Sequence, residues 1–212
     1  MEAVQNEGAG QIICDVAQII VENKAYLSEI DGKIGDGDHG VNMSKGFGRA
    51  AERLAPEGTL SDAMEVLSDV LMSEIGGSMG PLYGMMFSDM AEAIEDADSI
   101  DAAGFGKMFR AGLDGVQDIG SATVGDKTLL DALVPACDAF DAAVADGKSF
   151  AQALDEMKSA ATVGRDSTID MVAKIGRSAR LGERSRGVLD AGATSCCMII
   201  AGFSDGFAKR LS

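Results

Sequence analysis

The residues best equipped for chemistry in this 212-residue chain lie close together: Asp31-Gly-Lys-Ile-Gly-Asp36-Gly-Asp38-His39-Gly-Val-Asn42-Met43. Asp31, Asp36 and Asp38 fall within one short stretch, spaced mostly by glycine, which has no side-chain bulk and adopts positive φ at little cost. Carboxylates this close raise one another's pKa unless they stay in water or share a cation. Hard divalent cations take oxygen ligands, and Mg²⁺ usually shares its site with a substrate phosphate. The stretch therefore reads as a metal site, more narrowly a metal–phosphate site. A solvated Asp-Gly turn is the other reading open at this point. An EF-hand loop is excluded, because neither the required glycine nor the closing glutamate falls in register from Asp31 (Asp36 and Asn42 stand there) or from Asp36 (Val41 and Phe47).

Three further stretches carry weaker signals. Gly77-Ser78-Met79-Gly80 suits either a phosphate cradle before a helix or a plain tight turn. Gly120-Ser-Ala-Thr-Val-Gly125-Asp126-Lys127-Thr128 approaches the P-loop pattern. It fails because Asp126 separates Gly125 from Lys127 and no strand precedes it, so a P-loop fold is rejected. A later segment carries Arg177, Arg180, Arg184 and Arg186. His39 is the single histidine; its place in the acidic loop suits shaping that loop better than carrying a phosphoryl group, and Asn42 follows one helical turn later.

The net charge of −16 and pI of about 4.3 exclude nucleic acid and anionic membranes as partners. The same charge means that phosphate cannot be held by basic residues alone, so metal must supply much of the positive charge. Apolar residues make up 46% of the chain, but aromatic ones only 5% with no Trp. The expected core is Ala, Leu, Ile, Val and Met. The four cysteines fit no zinc spacing and read as reduced thiols of a cytoplasmic protein. No leader pattern is evident, and no apolar run is expected to reach membrane-span length.

These groups need scaffolding, and the apolar periodicity supplies it as helices. Helical spacing predicts helices over 10–29, 39–54, 60–75, 81–97 (with Pro81 first), 101–119, 128–145, 149–174 with a break near Gly164, and 193–210. No strand-like alternation persists. The expectation is an all-α single domain over 1–212, an eight-helix antiparallel up-and-down bundle or barrel. Successive helices reverse direction, so the segments 31–38, 76–80, 120–127 and 176–192 should meet at one rim. Helix N-termini there present free N–H groups to anions.

Taken together, the Asp31–Met43 stretch, Gly76-Gly-Ser-Met-Gly-Pro-Leu-Tyr-Gly84, Gly125-Asp-Lys-Thr128, Gly176-Arg177, Leu181-Gly-Glu-Arg-Ser185 and Asp190-Ala-Gly-Ala-Thr-Ser195 resemble the nucleotide-binding L subunit of dihydroxyacetone kinase over nearly the whole chain. The resemblance implies a helical barrel with ADP or ATP at one rim. It implies two Mg²⁺ ions on Asp31, Asp36 and Asp38. His39, Gly40, Val41, Asn42, Ser78 and Met79 would meet the phosphates, Gly120 and Leu129 would border adenine, and Arg177 with Asp190, Ala191 and Gly192 would close over the nucleotide. Arg177 is also the catalytic candidate. The family often has a small hydroxyl residue where Met79 stands and Pro where Ala191 stands; a backbone contact survives the first change. The implied reaction is phosphoryl transfer to dihydroxyacetone on a separate ketose-binding K subunit. The implied donor, for a free-standing chain, is bound ADP rephosphorylated by a phosphotransferase-system M subunit. A homodimer is a further assembly the resemblance allows. Another ketose such as erythrulose, or a regulatory nucleotide-binding module, are the alternative readings.

Overall fold

The computed structural model describes residues 2–211, and its helices follow the apolar stripes of the sequence. In chain order they are α1 (Gln11–Glu22), α2 (Lys24–Ile34), α3 (His39–Ala51), α4 (Leu60–Glu74), α5 (Met79–Glu92), α6 (Ala102–Ile119), α7 (Leu130–Ala145), α8 (Phe150–Ser167) and α9 (Ala191–Ala208). Each helix from α3 onward packs on its neighbour in sequence, and α9 returns against α1, so the bundle closes into a ring. The all-α expectation is met, and all the predicted helices are present.

Four local expectations are corrected. The predicted first helix is divided at Asn23, whose side-chain amide donates to the Ile19 carbonyl at 2.8 Å and shares that acceptor with its own backbone N–H. Its second part, α2, runs on to Ile34, so Asp31 sits on a helix and only 35–38 form the loop. Helix α5 starts at Met79, which puts Pro81 two residues further in than expected. It costs nothing there, because the first N–H groups of a helix have no intrahelical acceptor. Helix α8 stops at Ser167, short of 174, where the Ser167 and Thr168 hydroxyls donate to the Gly164 and Arg165 carbonyls. A short antiparallel pair was not expected at all: β1 (Ala3–Gln5) and β2 (Ser99–Asp101), in register Val4↔Ile100. Three residues each carry too little pattern to be read, and buried Asn6 beside them ties the N-terminus to the start of α4 and the end of α5.

The core is also more aromatic than its composition suggests. All eight phenylalanines are buried. Phe105 meets Phe109, Phe140, Phe150 and Phe207 with ring centroids 4.7–5.5 Å apart. Helix α9 has the length and apolarity of a membrane span, yet 78% of it is buried among its neighbours, as a central core helix is.

Pro135 inside α7 leaves the Asp131 carbonyl without its helical donor, and α8 crosses against that carbonyl at Gly164. A Cβ on Gly164 would collide with it. Alanine is the better helix former by about 1 kcal/mol, but overpacking costs about 1–3 kcal/mol, so Gly164→Ala should lower stability. Urea unfolding checks this, and a stabilised variant would show that the crossing can widen freely.

Candidate functional site

The segments expected to share a rim do so. They line one cavity of about 1060 Å³, with Asp31, Asp36 and Asp38 from the first, Gly76–Met79 from the second, Gly120–Ala122 from the third, and Ile175–Ser178 with Asp190–Gly192 from the last. One side is apolar, built from Met72, Met79, Leu82, Met85, Val116, Ile119, Leu129 and Leu130. Ile119 and Met72 are 48% and 42% exposed, so this wall opens to solvent. An apolar slot beside a polar end suits a ligand with a flat ring and a charged tail.

The acidic end is shaped by its glycines. A Cβ on Gly35 would collide with the Asp31 carboxylate, and Gly37 turns the chain at φ 81°. Asp31, in the last turn of α2, accepts the His39 N–H at 3.1 Å. Asp36 forms an ion pair with Arg177, which reaches across from the segment before α9. Asp38 precedes α3, and its carboxylate makes no bond to that helix's first turn. Among the described residues, no three acidic, histidine or cysteine side chains converge as a ready ligand set. Asp31 and Asp36 are engaged by the His39 N–H and by Arg177. The donor set, three carboxylates facing one cavity with no thiol, nonetheless fits a hard divalent cation.

The helix ends differ between the two ends of the bundle. Of the helices starting at the far end, α4, α6 and α8 are each closed by a side chain: Thr59, Asp101 and Ser149 accept first-turn N–H groups, while α1 starts at Gly10 with backbone bonds to the α3–α4 connection. At the rim, α3 and α5 have no side-chain cap. Apart from the His39 N–H, which Asp31 holds, their first-turn N–H groups and positive dipole ends are left for an anion in the cavity.

Behind this end lies a buried hydrogen-bonded group. His39 Nε2 is 2.9 Å from Ser195 Oγ, which is 2.7 Å from the Tyr83 hydroxyl. Ser195 also donates to the Gly192 carbonyl at 3.1 Å. The chain ties α3, α5 and α9 together beneath the cavity. Loss of hydration takes His39 from the usual 6.5 down to about 4. Asp190, which caps α9 by accepting the Ala193 N–H at 2.7 Å, is pushed up to about 7, again by loss of hydration.

Of the residues singled out from sequence, Asp31, Asp36, Asp38, His39, Asn42, Ser78, Met79, Gly120, Leu129, Arg177, Asp190, Ala191 and Gly192 line the cavity. Gly40 and Val41 do not. Gly40 is buried against α2, and Val41 points outward at 44% exposure, so only their backbone faces the site's helix end. Sequence reasoning missed Thr128 and Lys127 in the wall, and Tyr83 and Ser195 beneath it. All four lie in motifs that the sequence singles out, Gly76–Gly84, Gly125–Thr128 and Asp190–Ser195, but no role was assigned to them there.

His39 should stay neutral through the physiological range. Its folded value lies below the unfolded one, so stability is full above about pH 6.5 and falls as acid drives protonation of the unfolded chain toward pH 4. As the single histidine, it gives one imidazole signal by NMR. No inflection should appear between about pH 5.5 and 8, and a midpoint near 6.5 would contradict its burial.

The geometry agrees with known proteins. Residues 33–205 match the DAK2 domain. The ADP-binding subunit DhaL of the PEP-dependent dihydroxyacetone kinase of Escherichia coli K12 is 40% identical over 173 residues, 80% of this chain and 82% of that one. The corresponding subunit of kinase 1 of Listeria innocua is 35% identical over 187 residues, 87% of this chain and 88% of that one. The dihydroxyacetone kinase of C. freundii, solved in complex with AMP-PNP and Mg²⁺, matches the fold with a TM-score of 0.69 at 23% identity, over 93% of this chain and 33% of that longer one. The chain belongs to the DAK2 domain family, with dihydroxyacetone kinase L subunits as relatives along most of its length.

Proposed function

We propose that this chain is the ADP-binding subunit of a multi-subunit dihydroxyacetone kinase, a phosphotransferase that presents a Mg-nucleotide to a ketose held on another chain. One observation carries the reading: a single rim cavity joins an apolar slot, two uncapped helix N-termini and three carboxylates. In this reading the Met-rich wall, with Gly120 and Leu129, takes the adenine. The first turns of α3 and α5 hold the phosphates through backbone N–H groups, with Asn42 and Ser78 beside them. Asp31, Asp36 and Asp38 hold Mg²⁺, two ions by our reading, and the metal when bound neutralises phosphate charge. Arg177 adds a cation over the phosphates, and Asp190, Ala191 and Gly192 close the floor.

Phosphoryl transfer asks a protein for alignment and charge neutralisation rather than covalent chemistry. This site offers both but nothing to activate an acceptor hydroxyl. Its histidine is neutral and bonded to Ser195, and its carboxylates face the nucleotide end. The ketose must then be bound and activated on a K-type subunit that docks at the open rim. The relatives covered nearly end to end carry the dihydroxyacetone name, which favours that acceptor over erythrulose, and the PEP-dependent label, which favours ADP held here and rephosphorylated by an M-type subunit. The site is built from one chain's residues, so the reading needs no second copy. Four free cysteines suit a reducing cytoplasm.

The test is dihydroxyacetone phosphate formation with Mg-ATP by this chain alone, by a K-type subunit alone, and by both. Activity is expected only in the mixture, and Ser78→Trp, which fills the rim, should abolish it. Steady turnover by this chain alone would overturn the division of labour.

A further inference from the structure

The Gly125-Asp-Lys-Thr128 turn is the motif to which the reading above gives no task. Lys127 is 2% exposed and is the only non-glycine residue with positive φ, 64°, among the described residues. That conformation is strained for a long side chain, and a buried ammonium is costly unless its donors are satisfied. Here all three are. Lys127 Nζ donates to the Ser185 and Val188 carbonyls, each at 2.6 Å, and to the Met171 carbonyl at 3.2 Å. The turn that presents it is fixed in its own right, because buried Asp131 accepts the Gly125 N–H at 2.6 Å and the Thr128 N–H at 2.7 Å.

The three carbonyls sit on the two legs of one strap, residues 171–189, which crosses the rim between the end of α8 and the start of α9. None of them belongs to an α-helix. Ser185 links the same legs, accepting the Ala173 N–H at 2.9 Å and donating to the Gly182 carbonyl at 2.7 Å. The remaining ties to the turn both run from Lys174 to Asp126: the Lys174 N–H donates to the Asp126 carbonyl at 3.2 Å, and the Lys174 side chain, 63% exposed, pairs with the Asp126 carboxylate at 3.1 Å. Beyond this base the strap carries Arg177 to the cavity, where it meets Asp36.

We propose that Lys127 is a positioning residue for nucleotide binding: its ammonium clamps the base of the strap and so sets where Arg177 stands over the cavity. This rests on the reading of Arg177 as a phosphate-binding residue. An apolar replacement would leave three carbonyls, that of buried Ser185 among them, without their shared donor and let the legs part, while the helical ring keeps its own contacts. The lysine of this near-P-loop thus acts on the phosphate end from behind, through the strap.

The experiment uses the full chain. Lys127→Met, Arg177→Ala and the double variant are compared by calorimetry with Mg-ADP, and hydrogen exchange is followed without nucleotide. The expected result for Lys127→Met is affinity weakened about tenfold, with faster exchange confined to 171–189. On the Arg177→Ala background it should cost less than about twofold, because its effect has already been removed. A purely structural role gives losses that add, and that outcome overturns the proposal. If Arg177→Ala weakens binding and Lys127→Met does not, the clamp is wrong and the nucleotide reading stands. If Arg177→Ala leaves affinity unchanged, the phosphate role of Arg177 falls and the clamp falls with it. Should Lys127→Met not fold, Lys127→Arg keeps the cation but not three convergent short donors. A loss that disappears on the Arg177→Ala background supports the clamp, and parent-like affinity overturns it.

Discussion

The structure depends on one electrostatic constraint: a chain of net charge −16 is built to hold an anion. Two unit charges about 4 Å apart interact by about 4 kcal/mol near a protein surface, so uncompensated carboxylates beside phosphates would expel the ligand. The cavity has only two basic side chains in its wall, Lys127 and Arg177. Lys127 is engaged by three carbonyls. That leaves Arg177, the ends of α3 and α5 at about half a charge each, and whatever cations the three carboxylates recruit. In the proposed reading the acidic loop is the means by which an acidic protein binds a phosphate, and the glycines at 35 and 37 let that loop close on itself.

The fold serves this arrangement by putting its two longest connections, α6–α7 and α8–α9, at one end. Three of the far-end helix starts, those of α4, α6 and α8, are capped by side chains. Rim starts are left open or held by groups that also face the cavity, such as Asp190. The His39–Ser195–Tyr83 chain then joins three helix starts through side-chain hydrogen bonds. Order below and adjustability above are what a site needs if it must retain a nucleotide and still open to a second protein.

Much of this was legible in the sequence. The helices announced themselves by period, and alternation of direction was enough to bring the segments around 31–38, 76–80, 120–127 and 176–192 together. What stayed hidden has physical reasons. The break at Asn23 coincides with one side-chain amide bonded back to the Ile19 carbonyl, not with a change in apolar pattern. The pairing of β1 with β2 is too short to show alternation. Lys127 reads as a surface cation in a glycine turn, and only long-range carbonyls from the strap explain why it faces inward. Gly40 and Val41 were assigned with their motif, yet a helix start offers backbone there while sending the Val41 side chain outward. Aromatic content gave little warning that eight phenylalanines would all be gathered in the core.

The claim that joins these features is that carboxylate-held metal makes nucleotide binding possible on this acidic chain. Calorimetry of Mg-ADP with Asp38→Asn tests it most directly, since the Asp38 carboxylate makes no bond to the helix it precedes and its loss should leave the fold intact. Affinity should fall about tenfold or more, equivalent to about 1.4 kcal/mol, and the gain that Mg²⁺ gives over metal-free ADP should shrink with it. Unchanged Mg-ADP affinity in that variant would contradict the account.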